Sequence, residues 1–371
     1  MIQPLTGRRL SSVDGLKIAA AVITFLFHCH IHLGVTFGCL TAFLSQGAVV
    51  MDLFFMLSGF ALFAVYRETP LTEPAALTQF WGKRLLSIYP LYLMILVTHL
   101  LFLDGGSLLQ KAVTLPVELL LLQSWFSGLF SYSHNGGTWF LSCLLVGYIV
   151  FPFLKAPMER AGKRTLLTTM AAVYILCGSI PAVVVVLGLP NVYSNQLLRL
   201  LQFLAGMLLG ALLARMKGTA RGPVFWAGLA VMGGMGAVLS VSFFAHKGFL
   251  TDQYVSYGFV TFPLFLLLIA GSVMAETSGP RRPGLVTLLE RAGSWAYPLF
   301  MAQFFVWAPV RKVLAIYPGL FETHGNRKTF LLALLICVFF TALLQLGVNR
   351  PCQRFFRKRL LTPQNPYKTG V

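Results

Sequence analysis

The sequence predicts an all-α protein: a polytopic transmembrane helical bundle of about ten spans, with both termini on the cytoplasmic side. Three observations lead there. Apolar residues make up 57% of the 371 residues and charged residues only 11%, where a soluble domain carries about 25% charged; mean hydropathy is +0.76. The apolar residues fall in long runs and not in short alternating segments, which selects helices over an outer-membrane barrel. The basic residues, finally, change sides. Of 29 Lys and Arg, 22 fall on one side of the predicted spans, while Lys111, Arg199, Lys247, Arg311, Lys312, Arg327 and Lys328 fall on the other. That asymmetry is the positive-inside rule. It accounts for the net charge of +18 by topology and removes the nucleic-acid reading that such a charge invites.

The predicted spans run over 16–35, 46–66, 86–103, 137–154, 166–188, 198–214, 224–244, 255–274, 293–310 and 329–348. The first follows a short, polar, basic segment, 1–15, and no small-residue cleavage site comes after it, so it reads as a retained helix and not a signal peptide. The second carries Asp52 in its outer half and the small pair Ser58–Gly59, which permits close helix approach. Lys83 and Arg84 flank the start of the third, followed by Tyr89, Pro90 and Tyr92. Such a group is either a basic anchor with an aromatic belt or a clamp for phosphate. Between Asp104 and Gly136, the stretch Ala112–Phe126 is too short for a span and is interrupted by Pro116 and Glu118. It reads as an interfacial or re-entrant helix.

Seven further spans follow, and the tail 349–371, with Arg350, Arg354, Arg357, Lys358 and Arg359, reads as an anchor on anionic lipid. No segment separates as a soluble domain, so the 371 residues form one membrane domain. The six cysteines are scattered and form no CxxC pair, so they are expected to be apolar filler and neither a disulfide framework nor a zinc site. The absence of an N-x-S/T sequon fits a bacterial source.

Ionisable groups in hydrocarbon are costly and mark candidate sites. His28 lies eleven residues after Lys17, hence about 16 Å deeper at ~1.5 Å per residue. A basic residue at the membrane edge and a buried imidazole could together bridge a charged soluble donor and a reaction centre. Two ordinary readings stand beside this one. His28 could be a structural residue hydrogen-bonded to a neighbouring helix. His28 and His32, at i and i+4, could hold a metal, although no third ligand lies at a matching spacing. Asp52 could orient the imidazole or take up its proton, or could pair with another buried donor.

At this point the motifs carry a resemblance. The string VDGLKIAAAVITFLFH (13–28) resembles the first-helix signature of the membrane acyltransferase 3 family, D-x-L-R with a histidine eleven residues after the arginine. VVMDLFFMLSGF (49–60), FWGKRLLSIYPLY (80–92) and GGTWFLSCLLVGYIVFP (136–152) are similar to its next three segments, and RLLQFLAGMLLG, SWAYPLFMAQ and NRPCQRFF match its later ones in order. Lys17 stands where the family usually has Arg, Ser87 where it has a basic residue, Gln303 where it has histidine and Asn349 where it has glutamate.

The resemblance implies an O-acyltransferase of the inner membrane that moves an acyl group, acetyl above all, from cytosolic acyl-CoA to a hydroxyl of a cell-surface glycan or lipid-linked sugar. It places His28 at the reaction centre, as general base on the acceptor hydroxyl or as a brief carrier of the acyl group itself. In that reading Asp52 holds its tautomer, and Lys17, Lys83 and Arg84 meet the phosphates of the donor. Trp139 and Tyr148 line the cavity. Acyl-CoA is a co-substrate and no tightly bound cofactor is expected; the partners are the acceptor and membrane lipid. The rival class is a proton-coupled transporter or glycan flippase, against which stands the lack of an inverted repeat with paired broken helices. A polysaccharide polymerase would present a long basic outer loop, which the sequence lacks.

Overall fold

The computed structural model describes residues 9–103, 106–126, 136–187, 192–216, 221–247, 258–280, 282–318 and 325–360, and the described residues contain helices and no strands. The principal helices in chain order are α1 (Ser11–Leu33), α2 (Val50–Tyr66), α3 (Pro74–Thr98), α4 (Leu108–Leu119), α5 (Trp139–Arg160), α6 (Lys163–Leu187), α7 (Gln196–Leu213), α8 (Pro223–His246), α9 (Gly258–Ser278), α10 (Pro283–Gly293), α11 (Ala296–Ala302), α12 (Trp307–Ile316), α13 (Gly325–Leu343) and α14 (Arg350–Leu360). Eight helical stretches are long and apolar enough to cross a membrane, and the bent run from Pro283 to Ile316 makes a ninth. Of the predicted span 166–188, the described residues 166–187 lie on α6, which is not among those nine. The chain is therefore a polytopic helical bundle.

Helix α1 begins without a side-chain cap of its own. Its first N–H groups need partners, and they find them on α9. Glu276 accepts from the backbone N–H of Ser11 at 3.0 Å and of Ser12 at 2.8 Å, and from both serine hydroxyls at 2.9 and 2.6 Å. A carboxylate there also complements the positive end of the helix dipole. At the other end Gly34, at φ +68°, closes the helix, with the N–H of Gly34 on His30 O and that of Val35 on Cys29 O.

Helices α2 and α7 meet backbone to backbone. A Cβ on Gly59 would lie 1.9 Å from Phe203 O, and one on Gly206 would lie 1.9 Å from Met56 O. Only glycine fits at both positions, which is the small-residue packing that brings membrane helices together without a hydrophobic driving force. The expected close approach at Gly59 is thus real, and it fixes α2, which carries Asp52, Phe54 and Ser58.

Three sequence expectations change. Helix α3 starts at Pro74, a dozen residues before the predicted 86, because proline at the first turn and buried Phe80 extend the helix past the basic pair. Lys83 and Arg84 are therefore mid-helix residues. The predicted span 293–310 is broken: α11 passes through a 3-10 turn, Gln303–Phe305, into α12, with a 41° bend. Pro309 is the third residue of α12, and with no N–H it cannot bond back to the Phe305 carbonyl across the break. Arg199, counted among the outer basic residues, is instead 1% exposed inside the bundle. The stretch after Asp104 holds α4, twelve residues long, too short to span, with Leu108, Leu109 and Val113 exposed.

Candidate active site

A cavity of about 590 Å³ opens at the end of the bundle where the basic residues cluster. Helix α1 contributes Asp14 and Lys17 to its wall, and Arg9 precedes them; α2 contributes Phe54 and Ser58, α3 Arg84 and Ser87, α5 Phe140 and Tyr148, and α11 Tyr297. Arg9 forms an ion pair with Asp14 and donates to Glu290 O at 2.9 Å. That leaves Lys17 and Arg84 as the cations of the wall with no ion pair at contact distance among the described residues, although Asp14 stands one turn before Lys17 on α1. The Arg84 guanidinium lies 5.4 Å from the Tyr66 ring centroid and its Nη2 is 3.3 Å from the Tyr66 hydroxyl. Its Nε is buried with no hydrogen-bond partner. Buried donors are nearly always paired, so this one is suited to an anionic ligand.

Neutral amides complete the rim. The last span passes through a π-turn, Leu344–Asn349, a geometry frequent at functional sites, and this turn carries Asn349 to the cavity. Asn349 Nδ2 donates to Gln345 Oε1 at 2.6 Å, Gln353 Nε2 to Asn349 Oδ1 at 3.0 Å and Gln345 Nε2 to Ser294 O at 3.2 Å. With Asn349 in place of a glutamate, the cavity gains no negative charge here.

His28 does not line the cavity. It is half-buried on α1, three turns beyond Lys17 and on the same face, since eleven residues make about three turns. Its Nδ1 lies 2.8 Å from Gln303 Oε1, and its ring meets Trp307 edge-on at 5.7 Å and His32 at 5.5 Å. Gln303 is fully buried on the 3-10 turn. Its Nε2 donates to Ala21 O at 3.2 Å, which fixes the orientation of the amide. Oε1 therefore faces the histidine, and an amide oxygen can only accept. The proton must sit on His28 Nδ1, which leaves the Nε2 lone pair as the basic site.

Asp52 lies elsewhere. Its Oδ1 accepts from Arg199 Nη1 at 2.5 Å. The same nitrogen donates to Gln202 Oε1 at 2.8 Å, and Arg199 Nε donates to Tyr193 O at 2.9 Å. The rings of Tyr193, Trp139 and Phe55 surround the guanidinium at 4.7, 5.3 and 5.6 Å. So Asp52 and Trp139 belong to a closed ion-pair box between α2 and α7, and the partner that orients the imidazole is Gln303. Of the other expected residues, Lys17, Arg84 and Tyr148 line the cavity; Lys83 does not. No group of three His, Cys, Asp or Glu side chains converges among the described residues.

Sequence reasoning had noted Gln303 only as the loss of a histidine. The signal that could have found its role was chemical: an amide retains both an acceptor and a donor where charge is lost.

Fold and site together describe an integral membrane protein with a cationic chamber lined by Lys17 and Arg84 and a histidine, His28, three turns further along α1. The acyltransferase domain family matches residues 10–348, and the chain belongs to that family; it is a membrane O-acyltransferase. Over 386 aligned residues the chain is 25% identical to the acyltransferase MdmB of Streptomyces mycarofaciens, covering 95% of this chain and 93% of that protein. No solved structure matches.

Proposed function

We propose that the protein transfers an acyl group, acetyl above all, from acyl-CoA bound in the cavity to a hydroxyl of a cell-surface glycan or lipid-linked sugar at the bacterial cytoplasmic membrane. The observation that carries this reading lies on α1: Lys17 stands in the wall of a cationic cavity, and His28, on the same face, has its Nε2 free to act as a base. Lys17 and Arg84 meet the phosphates of the donor, Arg84 through the unpartnered Nε. Lys83, outside the wall, adds only to the local positive field.

In the reaction, His28 Nε2 takes the proton of the acceptor hydroxyl as its oxygen attacks the thioester carbonyl. The new C–O bond forms, the C–S bond breaks, and the imidazolium returns the proton to the departing thiolate. The products are the acyl ester and free CoA. Gln303 holds the ring and its tautomer throughout.

The test is thiol release by the purified protein supplied with acetyl-CoA and a membrane extract as acceptor source. Wild type should release CoA. His28→Ala should lower turnover by 10² or more, in the range of general-base loss, with unchanged helicity and elution volume. Equal turnover by wild type and variant overturns the assignment of His28, and no release by wild type overturns the acyl-CoA reading.

A further inference from the structure

Three aromatic rings pack together where α11 runs from the cavity residue Tyr297 toward Gln303, the partner of His28. Two of the rings belong to the cavity wall, Phe54 on α2 and Phe140 on α5. Phe300 of α11 stands behind them, one turn past the cavity residue Tyr297 and one turn before Gln303. The three ring centroids form a closed triangle: 4.5 Å between Phe140 and Phe300, 6.0 Å between Phe54 and Phe140, and 6.1 Å between Phe54 and Phe300. At those spacings the rings are in van der Waals contact. Along α1, Ala21 and Thr24, between Lys17 and His28, are both buried and offer no alternative path. Each of three helices thus contributes one ring to a single level of the bundle.

We propose that Phe54, Phe140 and Phe300 form the gauge that sets acyl-chain length, an inference that rests on the acyl-CoA reading. A donor anchored by Lys17 and Arg84 directs its thioester toward Phe54 and Phe140. The acyl group meets the rings before it meets His28. A two- or three-carbon group passes when the rings rotate about χ1 and χ2; a longer chain must displace a whole ring from a packed contact. Phe300 couples the rings to the base, because α11 carries both Phe300 and the turn bearing Gln303.

The experiment compares acetyl-, butyryl- and hexanoyl-CoA as donors to the same acceptor extract, for wild type, Phe140→Ala and Phe300→Ala. Phe140→Leu and Phe300→Leu serve as milder truncations in case either alanine variant fails to fold. The expected result is a wild type that prefers acetyl, and variants whose hexanoyl-to-acetyl ratio of kcat/KM rises about tenfold or more. A ring cluster that serves packing alone would lower all three donors in proportion, and an unchanged ratio in the folded variants overturns the gauge. A wild type that consumes none of the thioesters overturns the donor reading and the gauge with it; a wild type active with acetyl-CoA whose variants keep its profile overturns the gauge alone.

Discussion

His28 and Gln303 are 275 positions apart in the chain and meet at 2.8 Å, with the orientation of the amide fixed by the carbonyl of Ala21. One carbonyl on α1 thus determines, through a side chain from the broken helix, which nitrogen of another α1 residue is basic. Replacing Gln303 by leucine removes the acceptor without adding charge. The Gln303→Leu variant is expected to lose about 10- to 100-fold in kcat, with little change in KM for acyl-CoA, because the donor cavity does not include this residue. Steady-state kinetics at several donor concentrations checks this, and a defect confined to KM would contradict it.

The cations of the cavity should separate by position. Lys17→Ala and Arg84→Ala are each expected to raise KM for acyl-CoA about tenfold or more, since a charge-assisted hydrogen bond contributes about 1.5–3 kcal/mol. Lys83→Ala, one residue from Arg84 but off the wall, should change it less than about twofold. The first two effects should shrink as salt is raised, because added ions screen phosphate contacts.

The ion pair of Asp52 and Arg199 predicts stability and not chemistry. Asp52→Ala or Arg199→Ala leaves one buried charge alone, and such removals cost about 3–5 kcal/mol. Thermal unfolding in detergent should show a large fall in Tm for either variant. The double Asp52→Leu, Arg199→Met variant should recover much of the loss, since an apolar replacement of the whole pair is often neutral. If instead Asp52→Ala keeps its stability and loses turnover, the carboxylate has a catalytic task.

Close helix approach gives a fourth expectation. Gly206→Ala places a methyl group where Met56 O already lies, 1.9 Å away. Backbone cannot yield as a flexible side chain does, so α2 and α7 must separate. The variant should unfold at a markedly lower temperature, whereas Gly82→Ala, with open space around its Cβ, should match wild type.

Much of this was legible from residue order. Apolar runs and the two-sided basic residues specified a helical bundle, and eleven-residue spacing put Lys17 and His28 on one face of α1. Other features were not legible, for physical reasons. Charge suggested where α3 should start, but helix ends follow caps and prolines, and Pro74 began it earlier. Asp52 looked like a partner for His28 because both were buried; which buried groups meet depends on helix contacts set by Gly59 and Gly206, and these favoured Arg199. The turn holding Gln303 was hidden inside an apolar run marked by two prolines, Pro298 and Pro309, neither of which stands at the turn itself.

The meeting of Asp52 with Arg199 also bears on how the chain is assembled. The two are 147 residues apart in order of synthesis, so at about 5–20 residues per second the carboxylate emerges roughly 7 to 30 s before its counter-ion. Asp52 lies in the first turn of α2, near the end of its span, so leaving it alone in the membrane costs less than the about 2.5–3.5 kcal/mol of an acidic side chain at the helix centre. Helix α2 is otherwise strongly apolar and can enter lipid with its acidic end held at the membrane surface among water and headgroups; the carboxylate is withdrawn from that surface only when α7 brings Arg199 to it.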